Sequence, residues 1–135
     1  INRFATLVVG RAYRNGSVDI VNAGHSPPLL MRSRGGFELV DSHGPVIGLV
    51  PGSRWHYGTL EVAAGDQLVL YTDGIEEARS ASSGEEFGRD RLAQAVRDAD
   101  PTHPLDSILG RLDRFTGGVR DDDQSLLILA KHRTL

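Results

Sequence analysis

The sequence predicts an α+β protein on three observations. Short apolar stretches broken by Gly, Pro and Asn-Gly fill residues 4–71, helical periodicity begins only after residue 74, and the turns between strands are of the antiparallel kind. Strands first and helices later argue against a doubly wound parallel sheet. Residues 4–13 are nearly continuous apolar and β-branched, and run into Asn15-Gly16, read as a type I′ hairpin turn in which both central residues need positive φ. In the second arm, residues 17–22, Val18 and Ile20 alternate with Asp19. Pro27-Pro28 interrupt the ladder before Leu29-Leu30-Met31 resume it, residues 32–36 turn the chain, and Phe37 and Leu39 alternate with Glu38 in a further short strand. Gly44-Pro45 and Pro51-Gly52 bracket an irregular apolar segment, residues 46–50. Residues 55–62 and 67–71 are expected to pair with each other through Ala64-Gly65-Asp66.

Beyond Thr72-Asp73-Gly74 the period changes. Leu92, Ala95, Val96 and Ala99 fall at i, i+3, i+4 and i+7, and Leu105, Ile108, Leu109 and Leu112 repeat that spacing, giving two amphipathic helices with Thr102 as the N-cap of the second. Gly117-Gly118 ends that helix, three aspartates follow, and residues 125–130 form an apolar run short enough for a buried strand.

At 135 residues the chain suits one domain with a real core. No apolar run approaches bilayer length, so a membrane span is not expected. The net charge of -3 leaves no basic surplus to neutralise a phosphate backbone, and nucleic acid is not an expected partner. Cysteine is absent, which removes disulfides and thiolate metal ligands and agrees with a reducing, cytoplasmic compartment. The chain begins at Ile1, directly in a strand pattern, and reads as a piece of something longer.

Two acidic turns carry the chemistry. Asp73 ends an apolar strand with Gly74 beside it, where backbone or ligand can approach closely, and Asp121-Asp122-Asp123 precede the closing apolar run. An ordinary Asp-Gly turn and a solvated acidic loop remain open as alternatives for each. If the two adjoining strands are neighbours, carboxylates from distant sequence converge at one sheet end, a donor set suited to Mg²⁺ or Mn²⁺ rather than zinc. His25, between Gly24 and Ser26-Pro27-Pro28, could orient a substrate or bond a backbone carbonyl; His43, His56, His103 and His132 show no metal-ligand spacing. No G-x-S-x-G elbow, P-loop or G-x-G-x-x-G occurs.

In order along the chain, "FATL" (4–7), "VNAGHSPPLL" (21–30), "GPVIGLVPG" (44–52), "LVLYTDGIEEAR" (68–79), "EEFGRDRL" (85–92) and "DDQSLLIL" (122–129) resemble the C-terminal two-thirds or so of the metal-dependent Ser/Thr protein phosphatases. The likeness is to their bacterial branch, which holds the stage II sporulation phosphatase and the regulators of stress sigma factors. It implies an α-β-β-α sandwich with mainly antiparallel sheets and two Mn²⁺ or Mg²⁺ ions between them. Asp73 and Asp122 would be metal ligands, Gly74 would give close backbone approach, and His25 and Asp123 would lie near the site. A metal-bridging water would then attack a phosphoserine or phosphothreonine of a regulatory protein, by resemblance one that controls a sigma factor. The family's other essential carboxylates would fall upstream of Ile1. Residues 1–135 are therefore expected to be one N-terminally incomplete phosphatase domain, inactive alone, with Phe4, Leu7 and Val9 needing a partner chain or an exchanged element to stay dry. Homodimer formation is left open. The competing readings are a non-catalytic, partner-binding member of the same fold and a small cation-binding domain without phosphate chemistry.

Overall fold

In the computed structural model, which describes residues 3–41 and 43–133, the alternating stretch after Asn15-Gly16 becomes the central strand of a sheet. Strands β1 (Leu7–Ala12) and β2 (Ser17–Ala23) pair antiparallel, from Leu7 opposite Ala23 to Ala12 opposite Val18. On the other edge of β2 lie the two-residue β5 (His43–Gly44), which is parallel, and β6 (Gly58–Glu61), which is antiparallel. The β1–β2 connection is not the expected type I′ turn. Gly16 alone takes positive φ (94°), Tyr13 N–H donates to Ser17 O at 2.9 Å, and three residues form the loop. Asn15 keeps negative φ and its side chain accepts the Ser17 amide at 3.0 Å, so one left-handed residue suffices.

The second sheet has the order β4-β3-β7-β8, with β3 (Leu29–Met31) antiparallel to both β4 (Phe37–Leu39) and β7 (Gln67–Tyr71), and β8 (Leu126–Ala130) beyond β7. Val18 from the first sheet packs with Leu30, Val62 and Leu68 in one cluster, none more than 3% exposed. Burying each such side chain is worth about 1.5–3 kcal/mol, so this cluster holds the two sheets face to face. Strands β1 to β6 and most of β7 and β8 belong to one compact unit, Ile1–Leu70 with Ile128–Leu135.

Two strand expectations change. Residues 55–62 and 67–71 do not pair with each other: β6 joins β2, whereas β7 joins β3 and β8. The turn between them is built round Asp66, whose carboxylate accepts from Ala63 N–H, Ser33 N–H and Arg32, tying the start of β7 to the end of β3. The closing apolar run is not a buried strand either. As the last strand of its sheet β8 leaves Leu127 57% and Leu129 36% exposed. Phe4, and Leu7 and Val9 of β1, are likewise exposed among the described residues.

Tyr71–Leu127 makes the second unit. After a single helical turn, α1 (Asp73–Glu76), the two amphipathic helices appear as α2 (Gly88–Arg97) and α3 (Pro104–Thr116). Leu92, Ala95 and Val96 on α2 and Ile108 and Leu112 on α3 are buried, whereas Leu105 is exposed. Phe87 meets Phe115 edge to face at 5.2 Å, and the Arg91 guanidinium lies 4.9 Å over the Phe115 ring. Thr102 is not the N-cap. Pro104 occupies the first helical position, where a missing N–H costs nothing, so the boundary falls at His103 and the Thr102 hydroxyl turns back to Asp100 at 2.7 Å. Gly117 takes φ 69° and Gly118 N–H donates to Asp113 O at 2.9 Å, the expected glycine stop. Among the described residues no helix is long and apolar enough to cross a membrane.

Candidate metal centre

The second unit brings the two acidic turns together. Thr72, in extended conformation (φ -87°, ψ 158°), donates its N–H to Ser125 O at 3.1 Å and accepts the Ser125 N–H on its hydroxyl at 2.9 Å. A helical turn rather than a simple bend then starts at Asp73, with Glu77 N–H closing on Asp73 O at 2.8 Å. Gly74 is buried at the contact. A Cβ there would strike the Asp123 carbonyl oxygen and stand 3.4 Å from the Asp122 Cβ, so only glycine lets the chain carrying Asp73 lie against the chain carrying Asp122.

Asp73, Asp121, Asp122 and Asp123 are all solvent-exposed. Asp122 Oδ1 accepts the Asp123 N–H at 2.8 Å, while the Asp73 carboxylate has no hydrogen-bond or ion-pair partner among the described residues. Beside them opens a cavity of about 300 Å³ lined by Gly74, Glu77, Arg79, Glu86, Asp121 and Asp122, with Ala78 and Val119 as its apolar part. Arg79, its one cation, is already engaged by Glu86 at 2.8 Å and Gly84 O at 3.0 Å. Four carboxylates against one paired guanidinium make the cavity electronegative, a field that draws cations and repels a free phosphate.

The residues fit a cation in part. Two carboxylates on touching turns, with no lysine or arginine paired to either among the described residues, match the hard-oxygen donors that Mg²⁺ and Mn²⁺ take alongside water. Among the described residues no group of three or more His, Asp or Glu side chains could hold a metal, so these turns could supply at most part of a ligand shell.

His25 belongs to the first unit. Its backbone is stitched to the buried Asn22, whose side chain accepts the His25 N–H at 2.8 Å and donates to the His25 carbonyl at 3.0 Å, and its Nδ1 stands 3.1 Å from Ser26 O. Periodicity and turn chemistry missed Arg79 and Glu86, which pair across the 80–85 loop in an isolated antiparallel bridge. Opposite charges flanking a Ser- and Gly-rich stretch of six residues, 80–85, were the available signal.

A third group surrounds α1. Glu76 Oε1 lies 2.9 Å from Arg89 Nε, and the buried Tyr71 hydroxyl stands within electrostatic reach of both charges without a partner in hydrogen-bond alignment. Burial first, and then the Glu76 carboxylate, raise the Tyr71 phenol above its ordinary value, with Arg89 opposing them.

The fold agrees with solved phosphatase domains. Over 87% of this chain it matches 47% of the SiaA PP2C domain of Pseudomonas aeruginosa (TM-score 0.73, 18% identity). Over 96% it matches 58% of the phosphatase domain of the cell fate determinant SpoIIE from Bacillus subtilis (0.71, 17%) and 37% of a structure of the RsbU and RsbW domains of Rv1364c from Mycobacterium tuberculosis (0.69, 27%). Protein IcfG of Synechocystis sp. is 33% identical over 96% of this chain, which spans only 21% of that protein. The family model of stage II sporulation protein E covers residues 2–132, and the chain belongs to that SpoIIE family.

Proposed function

We propose that these residues are the C-terminal part of one metal-dependent phosphoprotein phosphatase domain, acting in the cytoplasm on a phosphoserine or phosphothreonine of a regulatory protein of the kind that controls a sigma factor. The observation that carries the reading is the contact of the two acidic turns through Gly74, which joins Asp73 and Asp122 across 49 positions of sequence. Family membership supports it, as do neighbours of the same fold described as a SpoIIE phosphatase domain presoaked with manganese and as RsbX in complex with magnesium.

Asp73 and Asp122 would hold Mn²⁺ or Mg²⁺, and such ions supply a water acidified for attack together with positive charge for the phosphoryl oxygens. The chain's own part follows from its charges. Glu77, Glu86, Asp121 and Asp122 by themselves oppose entry of a phosphate dianion into the cavity beside them, a field that a bound cation would offset. Gly74 keeps the two turns in contact, and the Thr72–Ser125 bonds fix where each carboxylate starts.

The test is hydrolysis of a phosphoserine peptide by the full-length protein with Mn²⁺ and after chelation. Turnover that survives chelation unchanged overturns the reading. Because no third carboxylate joins these two in a metal-holding group among the described residues, the same 135 residues expressed alone are expected to be inactive towards p-nitrophenyl phosphate; a rate matching the full-length protein would show that they complete the site themselves.

A further inference from the structure

The four-residue helix α1 is too short to stand by its own hydrogen bonds, since nucleating a helix fixes several residues for a single bond. Its N-cap gives no help: Thr72 makes no side-chain cap, its hydroxyl being taken up by Ser125 N–H. Two contacts seat the turn instead. Ile75 is 1% exposed, and Glu76, three residues after Asp73, reaches Arg89 in the first turn of α2 at 2.9 Å, with the Glu76 side chain only 21% exposed. Two residues before Asp73, the side chain of Tyr71 is buried beside the same pair; neither its hydroxyl nor Arg89 Nε has an aligned hydrogen-bond partner, so Glu76 holds Arg89 by charge at 2.9 Å rather than by a hydrogen bond. The backbone of Asp73 is thus held between a buried tyrosine and an ion pair to a ten-residue helix, while its carboxylate is left bare.

We propose that Arg89 is a positioning residue for Asp73: by anchoring Glu76 it fixes the helical turn that presents the Asp73 carboxylate, and so sets how tightly the site holds its cation. Arg89 acts on Asp73 through Glu76 at the end of the same helical turn. The inference rests on the metal reading above.

The experiment is direct Mn²⁺ binding to the full-length protein, read from the electron paramagnetic resonance signal of the free ion, so that it needs no turnover. Arg89→Met is expected to raise the Mn²⁺ dissociation constant about fivefold, the scale of a partly shielded ion pair, with turnover at saturating Mn²⁺ changed less than about twofold. Arg89→Lys keeps a cation near Glu76 and should restore most of the affinity. Glu76→Gln, nearly isosteric, should reproduce the loss, and combining it with Arg89→Met should add nothing further, as expected of two residues acting in series. Unchanged binding in both single variants, or losses that add in the double, overturns the proposal. Asp73→Asn measured alongside separates the two failures. Unchanged binding there overturns the metal reading and this inference with it, whereas weakened binding there beside unchanged binding in Arg89→Met overturns the inference alone.

Discussion

Strand β7 has an aspartate just before it and another two positions after it, and the two live in opposite circumstances. Asp66 is 3% exposed and each of its oxygens is used: Oδ1 takes the Ser33 N–H at 2.8 Å, and Oδ2 takes Arg32 at 2.9 Å and the Ala63 N–H at 3.1 Å. Burial pushes its pKa up, but the Ser33 amide, Arg32 and the Ala63 amide outweigh burial and hold the carboxyl below its usual range. Asp73 is exposed, without a partner among the described residues. A carboxylate whose oxygens are all satisfied builds structure; one held at a buried glycine contact with its oxygens left bare is available for a ligand.

The sharpest way to break this contrast is to neutralise each aspartate in the full-length protein. Asp73→Asn is nearly isosteric yet a much poorer ligand for a hard cation, so Mn²⁺-dependent turnover should fall by at least about 100-fold with the melting temperature unchanged. Near-normal turnover would return Asp73 to the ordinary turn residues. Asp66→Asn should do the reverse. An amide can face only one side of that donor set with its oxygen and turns an NH₂ on the other, which should cost about 2–3 kcal/mol of stability in denaturant titration while activity per folded molecule persists.

Acid sharpens the same comparison more gently. Because the folded pKa of Asp66 is depressed, its contribution is fully present above the unfolded value of about 3.9 and is lost as pH falls through the folded value. The stability gap between wild type and Asp66→Asn should therefore be constant at neutral pH and narrow only below about pH 4. A gap that closes nearer pH 6 would assign it to another group. The smallest effect is expected at the exposed Arg111–Asp98 pair, 2.8 Å apart: Arg111→Ala should move the melting temperature by less than about 3 °C.

The helices were legible in the sequence because Leu92, Val96, Ile108 and Leu112 carry a periodicity that tertiary structure had no reason to override. Strand partners were less so. The stretch round Gly65 looks like a local hairpin, and what diverts it is a bond from Asp66 to Ser33 and Arg32, more than thirty residues away, which no local pattern announces. Asp73-Gly74 and Asp122 could be singled out one by one, but their contact depends on β7 and β8 being neighbours, a fact of topology. Arg89 was invisible for a related reason: as an arginine on an amphipathic helix it reads as solvated surface until Glu76 is seen against it.

Gly74 can also serve as a marker for sorting relatives. Its missing side chain is the whole clearance between the backbone after Asp73 and the Asp123 carbonyl, so the residue at this position reports whether the two turns can touch. A relative that keeps both aspartates but carries alanine or anything larger here must pull the turns apart, which a comparison of the two carboxylates alone would miss. One hydrogen in place of a methyl is the more informative character.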